Sequence, residues 1–324
     1  MNVLLTSAGR RTSLLRFFQS AVSDRDGTVW AADLDPLAAT LQAADKKIVL
    51  PPIQASNYLS TLLDHVNRHD VDLVVPLIDP DVLALAEARS RFEDAGCHLL
   101  TSALPLLDLA HDKWSTVQHF SEKGFRTPSS WLPADSDLEK WPDPVFVKPR
   151  RGSASDGAQC VDRDHATSVL ATLESPLLQE VIDAPEITVD ALFDLAGRLL
   201  HYVPRLRIRT IAGESVQGRT LSDADLDAWL RSLLREIGGL GARGPITVQA
   251  FRTEPTPTLS EINPRFGGGV PLTHAAGGHY PEWILRMCAG ASLAPRLGEY
   301  TAGLCMTRAY TEWFVEASSL DERD

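Results

Sequence analysis

Apolar runs alternate with amphipathic stretches along the first hundred residues. Asn2-Val3-Leu4-Leu5-Thr6-Ser7 reads as an apolar strand, and the helix predicted from Arg11 to Ala21 carries Leu14, Leu15, Phe17 and Phe18 at helical spacing. A second strand follows at Thr28-Val29-Trp30-Ala31-Ala32, ending at Asp33, then a helix from Tyr58 to His69. Val71-Asp72-Leu73-Val74-Val75-Pro76-Leu77 is a third strand, Val82 to Ala95 a helix, and His98-Leu99-Leu100 a fourth short strand. Strands separated by helices predict a parallel sheet with crossover helices, which binds ligands beyond the carboxyl ends of its strands. Polar residues gather at those ends: Ser7, Gly9 and Arg10, then Asp33 and Asp35, then Asp79 and Asp81. Turn chemistry explains them equally well, and Ser7-Ala8-Gly9-Arg10-Arg11 lacks the glycine spacing of a dinucleotide fingerprint.

The pattern then changes. Residues from about 105 to 190 predict a linker helix and a small α+β lobe; those from about 190 onward predict an antiparallel, then helical, lobe. Thr247-Val248-Gln249-Ala250-Phe251 and Thr258-Leu259-Ser260-Glu261-Ile262-Asn263 read as strands joined across Glu254-Pro255-Thr256-Pro257. Side chains at i and i+2 of a strand share a face, roughly 7 Å apart, so Glu261 and Asn263 point the same way. A hairpin brings Gln249 beside them. One carboxylate between two amide oxygens is a hard, all-oxygen set suited to Mg²⁺ held against phosphates. Arg265 adds a planar cation for a phosphoryl oxygen, and Gly267, Gly268 and Gly269 offer N–H groups for a carboxylate. A polar hairpin face before a glycine turn is the plainer alternative.

Two other segments concentrate cations. Pro144-Val145-Phe146-Val147-Lys148-Pro149 is an apolar strand ending in a lysine, followed by Arg150-Arg151-Gly152-Ser153-Ala154-Ser155-Asp156-Gly157. A glycine- and serine-rich turn lets backbone N–H groups approach phosphate oxygens closely. His201-Tyr202-Val203-Pro204-Arg205-Leu206-Arg207-Ile208-Arg209 alternates arginine with apolar residues, so its arginines face one way on a strand. That is either an anion-binding face or a basic edge guarding against aggregation.

Composition narrows the function classes. The 324 residues are 44% hydrophobic and 23% charged, ordinary for a soluble globular protein, and the net charge of −12 argues against nucleic acid or an anionic membrane as partner. Gly9-Arg10-Arg11 follows the apolar start too soon for a signal peptide, and no apolar run reaches membrane-span length. Cys97, Cys160, Cys288 and Cys305 lack paired metal-ligand spacing and read as reduced thiols of a cytoplasmic protein. The nine histidines offer no Ser-His-Asp arrangement, and His274 and His279 read as structural.

Gln249, Glu261, Asn263, Arg265 and the glycine run resemble the ATP-grasp superfamily, most closely the half-domains of the carbamoyl phosphate synthetase large subunit. The resemblance extends to about Gly290. It implies an α/β fold with a Rossmann-like parallel-sheet domain (1–105), a linker helix and small α+β lid lobe (106–190), and a carboxy-terminal α+β lobe with an antiparallel sheet (191–324). Gln249, Glu261 and Asn263 would then hold two magnesium ions, for which manganese substitutes. Lys148, Lys113, Arg151, Gly152, Ser153 and Ser155 would contact the ATP phosphates. Leu177-Leu178-Gln179-Glu180-Val181-Ile182-Asp183-Ala184-Pro185-Glu186 resembles the hinge, with Glu180, Val181 and Ile182 at the adenine and Glu186 at the ribose. Read without the resemblance, Asp112 is a helix cap and Lys113 solvated.

The implied reaction is phosphorylation of a small-molecule carboxylate and its capture by an amine, releasing ADP and phosphate. Arg265, Lys148 and Arg207 would act at the transferring phosphoryl, and Arg10, Arg205 and the three glycines would hold substrate. Amino-acid-like carboxylates and amines are the implied partners, with a homodimer as an option. A phosphotransferase, a carboxylase-type enzyme and a non-catalytic ATP-binding regulator are the alternatives.

Overall fold

The computed structural model describes residues 1–135, 140–152, 157–211 and 213–316. Its first sheet contains β1 (Asn2–Thr6), β2 (Val29–Asp33), β3 (Lys46–Val49), β4 (Val71–Pro76) and β5 (His98–Leu99), all parallel, in the order β3-β2-β1-β4-β5. Helices α1 (Thr12–Val22), α2 (Ala39–Ala43), α3 (Tyr58–Arg68), α4 (Asp79–Glu87) and α5 (Arg89–Asp94) connect its strands. The predicted strands stand where the apolar runs placed them.

The short helix α2 and edge strand β3 are additions to the sequence expectation, and one expected helix is divided. Edge strand β3 buries only Ile48 of its four residues, so no apolar run announces it; its two lysines also suit an unpaired sheet edge. The single helix expected from Val82 to Ala95 starts at Asp79 and breaks at Ala88. Beyond the break Phe92 is fully buried, and Arg89 donates to the Leu99 and Thr101 carbonyls at 3.2 and 2.6 Å, drawing α5 back against β5.

Helices α6 (Leu104–His111) and α7 (Lys113–Glu122) lead to an antiparallel sheet of β6 (Ser130–Trp131), β7 (Val145–Pro149), β8 (Gln159–Val161) and β9 (Pro176–Glu180), ordered β6-β9-β7-β8, with α8 (Arg163–Leu170) packed on it. The third sheet holds β10 (Glu186–Phe193), β11 (Leu199–Ile211), β12 (Glu214–Thr220), β13 (Gly244–Phe251), β14 (Thr258–Asn263) and β15 (Cys305–Thr307), in the antiparallel order β14-β13-β10-β11-β12-β15. Helices α9 (Ala224–Gly239), α10 (Val270–Ala275) and α11 (Tyr280–Cys288) complete the chain.

Strict alternation divides the third sheet into two faces. Ile187, Val189, Ala191, Tyr202, Ile246, Val248 and Ala250 turn to α9 and bury Leu226, Leu230, Leu233, Leu234 and Ile237. Each fully buried leucine there contributes about 1.5–3 kcal/mol. Asp223 accepts from the backbone N–H groups of Asp225 and Leu226 and so caps α9. A second core runs without a break from α1 and β1 to Phe266, Tyr280, Trp283 and Ile284, joining the first sheet to the last two helices. Among the described residues no helix is long and apolar enough to cross a membrane.

Candidate active site

The other face of the third sheet is polar. Glu186, Thr188 and Asp190 alternate on β10, and Thr188 lies between Arg205 of β11 and Gln249 of β13. Gln249 is the direct cross-strand partner of Glu261, and Thr247 of Asn263. The hairpin read from sequence therefore exists, and it brings the three oxygen donors onto one surface. Arg207 donates to the Gln249 amide oxygen at 3.2 Å, to the Gly213 carbonyl at 2.7 Å and to Glu186. Arg209 leaves this group, because a bulge between Arg207 and Arg209 ends the alternation and leaves its side chain exposed.

Opposite this face, β7 presents Lys148 and, two residues back, Phe146, whose ring centroid is 5.9 Å from the lysine nitrogen. Burial pushes the Lys148 ammonium down to about 8; Glu261 pulls the other way and Lys113 adds to the depression. Lys113 donates to the Gly152 carbonyl at 2.7 Å and lies 4.0 Å from Glu261. Arg150 forms a two-pronged pair with Asp112, both contacts at 2.6 Å, while Arg151 stands 3.8 Å from the same carboxylate. Asp112 also caps α7 by accepting from Trp114 and Ser115. The cap reading of Asp112 thus holds, and the capped helix start projects Lys113 into the cleft. Ser153 and Ser155 lie outside the described residues.

Between the two sheets is a cleft of about 490 Å³, in the range of ligand pockets. Lys113, Lys148, Arg151, Gly152, Glu180, Val181, Ile182, Glu186, Arg207, Gln249 and Glu261 all line it. Glu180 is also bound to the Ser129 backbone N–H at 2.8 Å, which ties β6 to the hinge. Sequence reasoning missed Phe146, Gln179 and Phe251, which line the same cleft. Phe146 sits one strand step from Lys148 on the same face, and that spacing was the available signal. Asn263 lines a smaller recess next to the cleft with Glu261, Asp79 and His111.

Around the glycine turn the structure assigns different partners from those expected. None of the three glycines has left-handed backbone; at Gly267 and Gly269 close approach is what excludes a side chain. A Cβ at Gly267 would lie 2.7 Å from Thr247 Oγ1, and one at Gly269 would lie 2.1 Å from the Arg205 guanidinium carbon. Arg205, expected to meet substrate, is only 2% exposed beneath that turn and donates to Asp190 at 3.1 Å. Arg10 points outward, its side chain 67% exposed and 3.7 Å from Glu214. Arg11 takes the inner position, its Nη1 3.2 Å from where a Gly268 Cβ would be. His274 stacks on Phe17 at 3.7 Å between ring centroids, and burial pushes it down to about 4, with His279 adding; its buried Nδ1 has no hydrogen-bond partner among the described residues.

The acids at the strand ends have structural partners. Asp33 accepts from the Gly9 N–H at 2.7 Å. Asp81 is fully buried and accepts from Thr6, Ser7 and Tyr58 hydroxyls at 2.6, 3.0 and 2.5 Å. Together they fix the loop carrying Arg10 and Arg11, including Ser7 at φ 50°, a conformation L-residues rarely hold unaided. Asp79 takes Arg265 in a two-pronged pair, both contacts at 2.8 Å. Arg265 also donates to the Asn263 amide oxygen at 3.0 Å.

The donor set fits a hard divalent cation. Glu261 and the Gln249 amide oxygen face the cleft and the Asn263 amide oxygen faces the adjoining recess that Glu261 also lines, and guanidinium groups already hold both amide oxygens in acceptor orientation.

Comparison with known proteins gives two family matches. The model described as PylC-like, N-terminal domain matches residues 3–100, and that described as ATP-grasp domain matches residues 110–269. The carbamoyl phosphate synthase large chain of Kocuria rhizophila is 26% identical over 202 residues, 57% of this chain but 18% of that protein, so this chain spans under a fifth of its length. The biotin carboxylase domain of Hydrogenobacter thermophilus 2-oxoglutarate carboxylase, solved with MgADP and bicarbonate, superposes with a TM-score of 0.74 at 15% identity, covering 94% of this chain and 73% of that one. An L-amino acid ligase from Bacillus licheniformis gives 0.65 at 18% identity, covering 89% and 73%. At these identities the two structures speak for the fold.

Proposed function

We propose that this chain, an ATP-grasp enzyme with a PylC-like N-terminal domain, phosphorylates a small-molecule carboxylate with Mg-ATP and passes the acyl group to an amine, releasing ADP and phosphate. The observation that carries this reading is the pairing of Gln249 with Glu261 on one sheet face, with Lys148, Arg207 and Arg265 around it. Cations and metal-binding oxygens converge there, as positioning and charge neutralisation at a transferring phosphoryl require.

The adenine end lies against Val181, Ile182 and the rings of Phe146 and Phe251, with the hinge backbone and Glu180 at its polar edge. Glu186 meets the ribose hydroxyls, and the phosphates run toward Lys148, Lys113 and Arg151. Gln249, Glu261 and Asn263 would hold two magnesium ions, replaceable by manganese, which when bound supply charge neutralisation on both sides of the breaking bond. A carboxylate oxygen of the substrate attacks the γ-phosphorus and ADP leaves. An amine nitrogen then attacks the acyl carbon and phosphate leaves. Phosphorus NMR of turnover mixtures should show ADP and orthophosphate; AMP and pyrophosphate would reject the scheme.

The Lys148 assignment has its own test. Near pH 7 the free lysine already carries its proton, so ATP binding takes up none there. Around pH 9 the free group is mostly neutral, its pKa being about 8, and phosphate oxygens draw the proton on. Proton uptake per ATP bound should therefore rise toward one above pH 8, measured by calorimetry in buffers of different ionisation enthalpy. Lys148→Met should abolish it. Undiminished uptake in that variant removes Lys148 from the phosphate site.

A further inference from the structure

We infer that Arg11 and Arg308, flanking Gly268, seat a second anionic group on the substrate, so that this chain activates acids bearing a carboxylate or phosphate ester besides the reacting carboxylate. The inference deepens the proposed function and rests on it for the identity of the reacting group.

Charge is the first argument. Around the glycine turn, Arg10, Arg11, Arg205, Arg265 and Arg308 stand against Asp79, Asp190 and Glu214, an excess of two positive charges. Asp190 is committed to Arg205, and Asp79 to Arg265 in a fork. Glu214 is shared by Arg10 at 3.7 Å and Arg308 at 3.4 Å. Arg11 forms no ion pair among the described residues. Like charges gathered this closely repel unless an anion joins them.

Space and burial are the second argument. Gly268 has ordinary backbone, yet a Cβ there would enter the gap between Arg11 Nη1 at 3.2 Å and Glu214 Cγ at 3.5 Å. Arg308 donates to the Gly268 carbonyl from the other side, and its own N–H is fixed on the Val216 carbonyl at 3.0 Å. Beneath the turn, the 2% exposed Arg205 keeps a buried Nη1 without a hydrogen-bond partner among the described residues, a donor left over from its pair with Asp190. Burial, with Arg265 next, pushes Arg11 down to about 10, as expected for a guanidinium held among cations.

Position is the third. Arg265, three residues before Gly268, donates to Asn263, so the seat adjoins the reacting end of the proposed function. Arg11 comes from the first sheet's ligand end and Arg308 follows β15. The first domain thereby joins in choosing the substrate.

The experiment uses the whole chain, Mg-ATP and hydroxylamine, which displaces phosphate from an acyl phosphate to leave a hydroxamate. Acetate and butyrate, succinate and glutamate, and phosphoglycerate are the acid probes. Hydroxamate should form from the two-anion acids, and the winning arm tells carboxylate from phosphate ester. For that acid, Arg11→Gln and Arg308→Gln should each raise KM about tenfold to a hundredfold with ATP affinity unchanged, and Arg11→Lys should recover part of the loss. Equal use of monocarboxylates, or an unchanged KM in both glutamine variants, overturns the seat and leaves the ligase reading intact. If no acid yields hydroxamate, the ligase reading falls, and calorimetry with the same probes judges the seat alone. Binding of a two-anion probe that Arg11→Gln abolishes then upholds it, and absence of binding overturns it.

Discussion

Glu261→Gln is expected to lower turnover by about 10³-fold while leaving the fold and binding at the adenine end in place. The substitution preserves shape and removes one charge. Glu261 is the only carboxylate among the three oxygen donors paired on the sheet face, so no neighbour replaces what it supplies. Its side chain is 24% exposed and stands 4.0 Å from Lys113, hence its loss should change stability by about 1 kcal/mol or less. The variant should also need a higher magnesium concentration for half-maximal rate. Steady-state rates over a magnesium titration, with thermal unfolding alongside, measure both effects. A variant with the wild-type rate and an unchanged magnesium requirement would show that Glu261 is a spectator.

The parts of this site visible in sequence are those that strand periodicity encodes locally. Glu261 and Asn263 share a face because they are two apart, and the short Pro-rich connection sets Gln249 opposite. Lys148 shows itself by ending an apolar strand before a glycine- and serine-rich turn. The hidden parts depend on contacts far apart in sequence. Nothing near Asp79 announces that Arg265 will close on it, and nothing in Arg308 announces Gly268. The glycines were legible as a turn but not for their reason: Gly267 and Gly269 admit Thr247 and Arg205 at distances a Cβ forbids. Strand β3 was missed because an edge strand with one buried residue leaves no apolar run. The bulge after Arg207 was missed because alternation in sequence carries no record of register.

Arg265 is expected to be the residue whose loss costs both rate and stability. Its guanidinium joins the first sheet, through Asp79 on α4, to the polar face of the third sheet, through Asn263. Both side chains of the pair are largely shielded, at 14% and 18% exposure, so truncation strands Asp79 without its fork. Removing one partner of a fully buried pair costs 3–5 kcal/mol in general; residual exposure here brings the expected loss for Arg265→Ala to about 2 kcal/mol. Turnover should fall by about 10²–10³-fold, because the cation that the proposed function sets beside the transferring phosphoryl goes with it. Asp79→Asn separates the two roles. It keeps the arginine and its bond to Asn263 but weakens the fork, so it should lose about 1–2 kcal/mol of stability and less than tenfold in rate. Arg265→Lys retains charge without the planar fork and should fall between the two. Denaturant unfolding and single-turnover rates on the variants and the double substitution yield the coupling energy. Additive losses for Arg265→Ala and Asp79→Asn would mean the two side chains act independently, and the bridge between the first sheet and the polar face of the third would carry no energy.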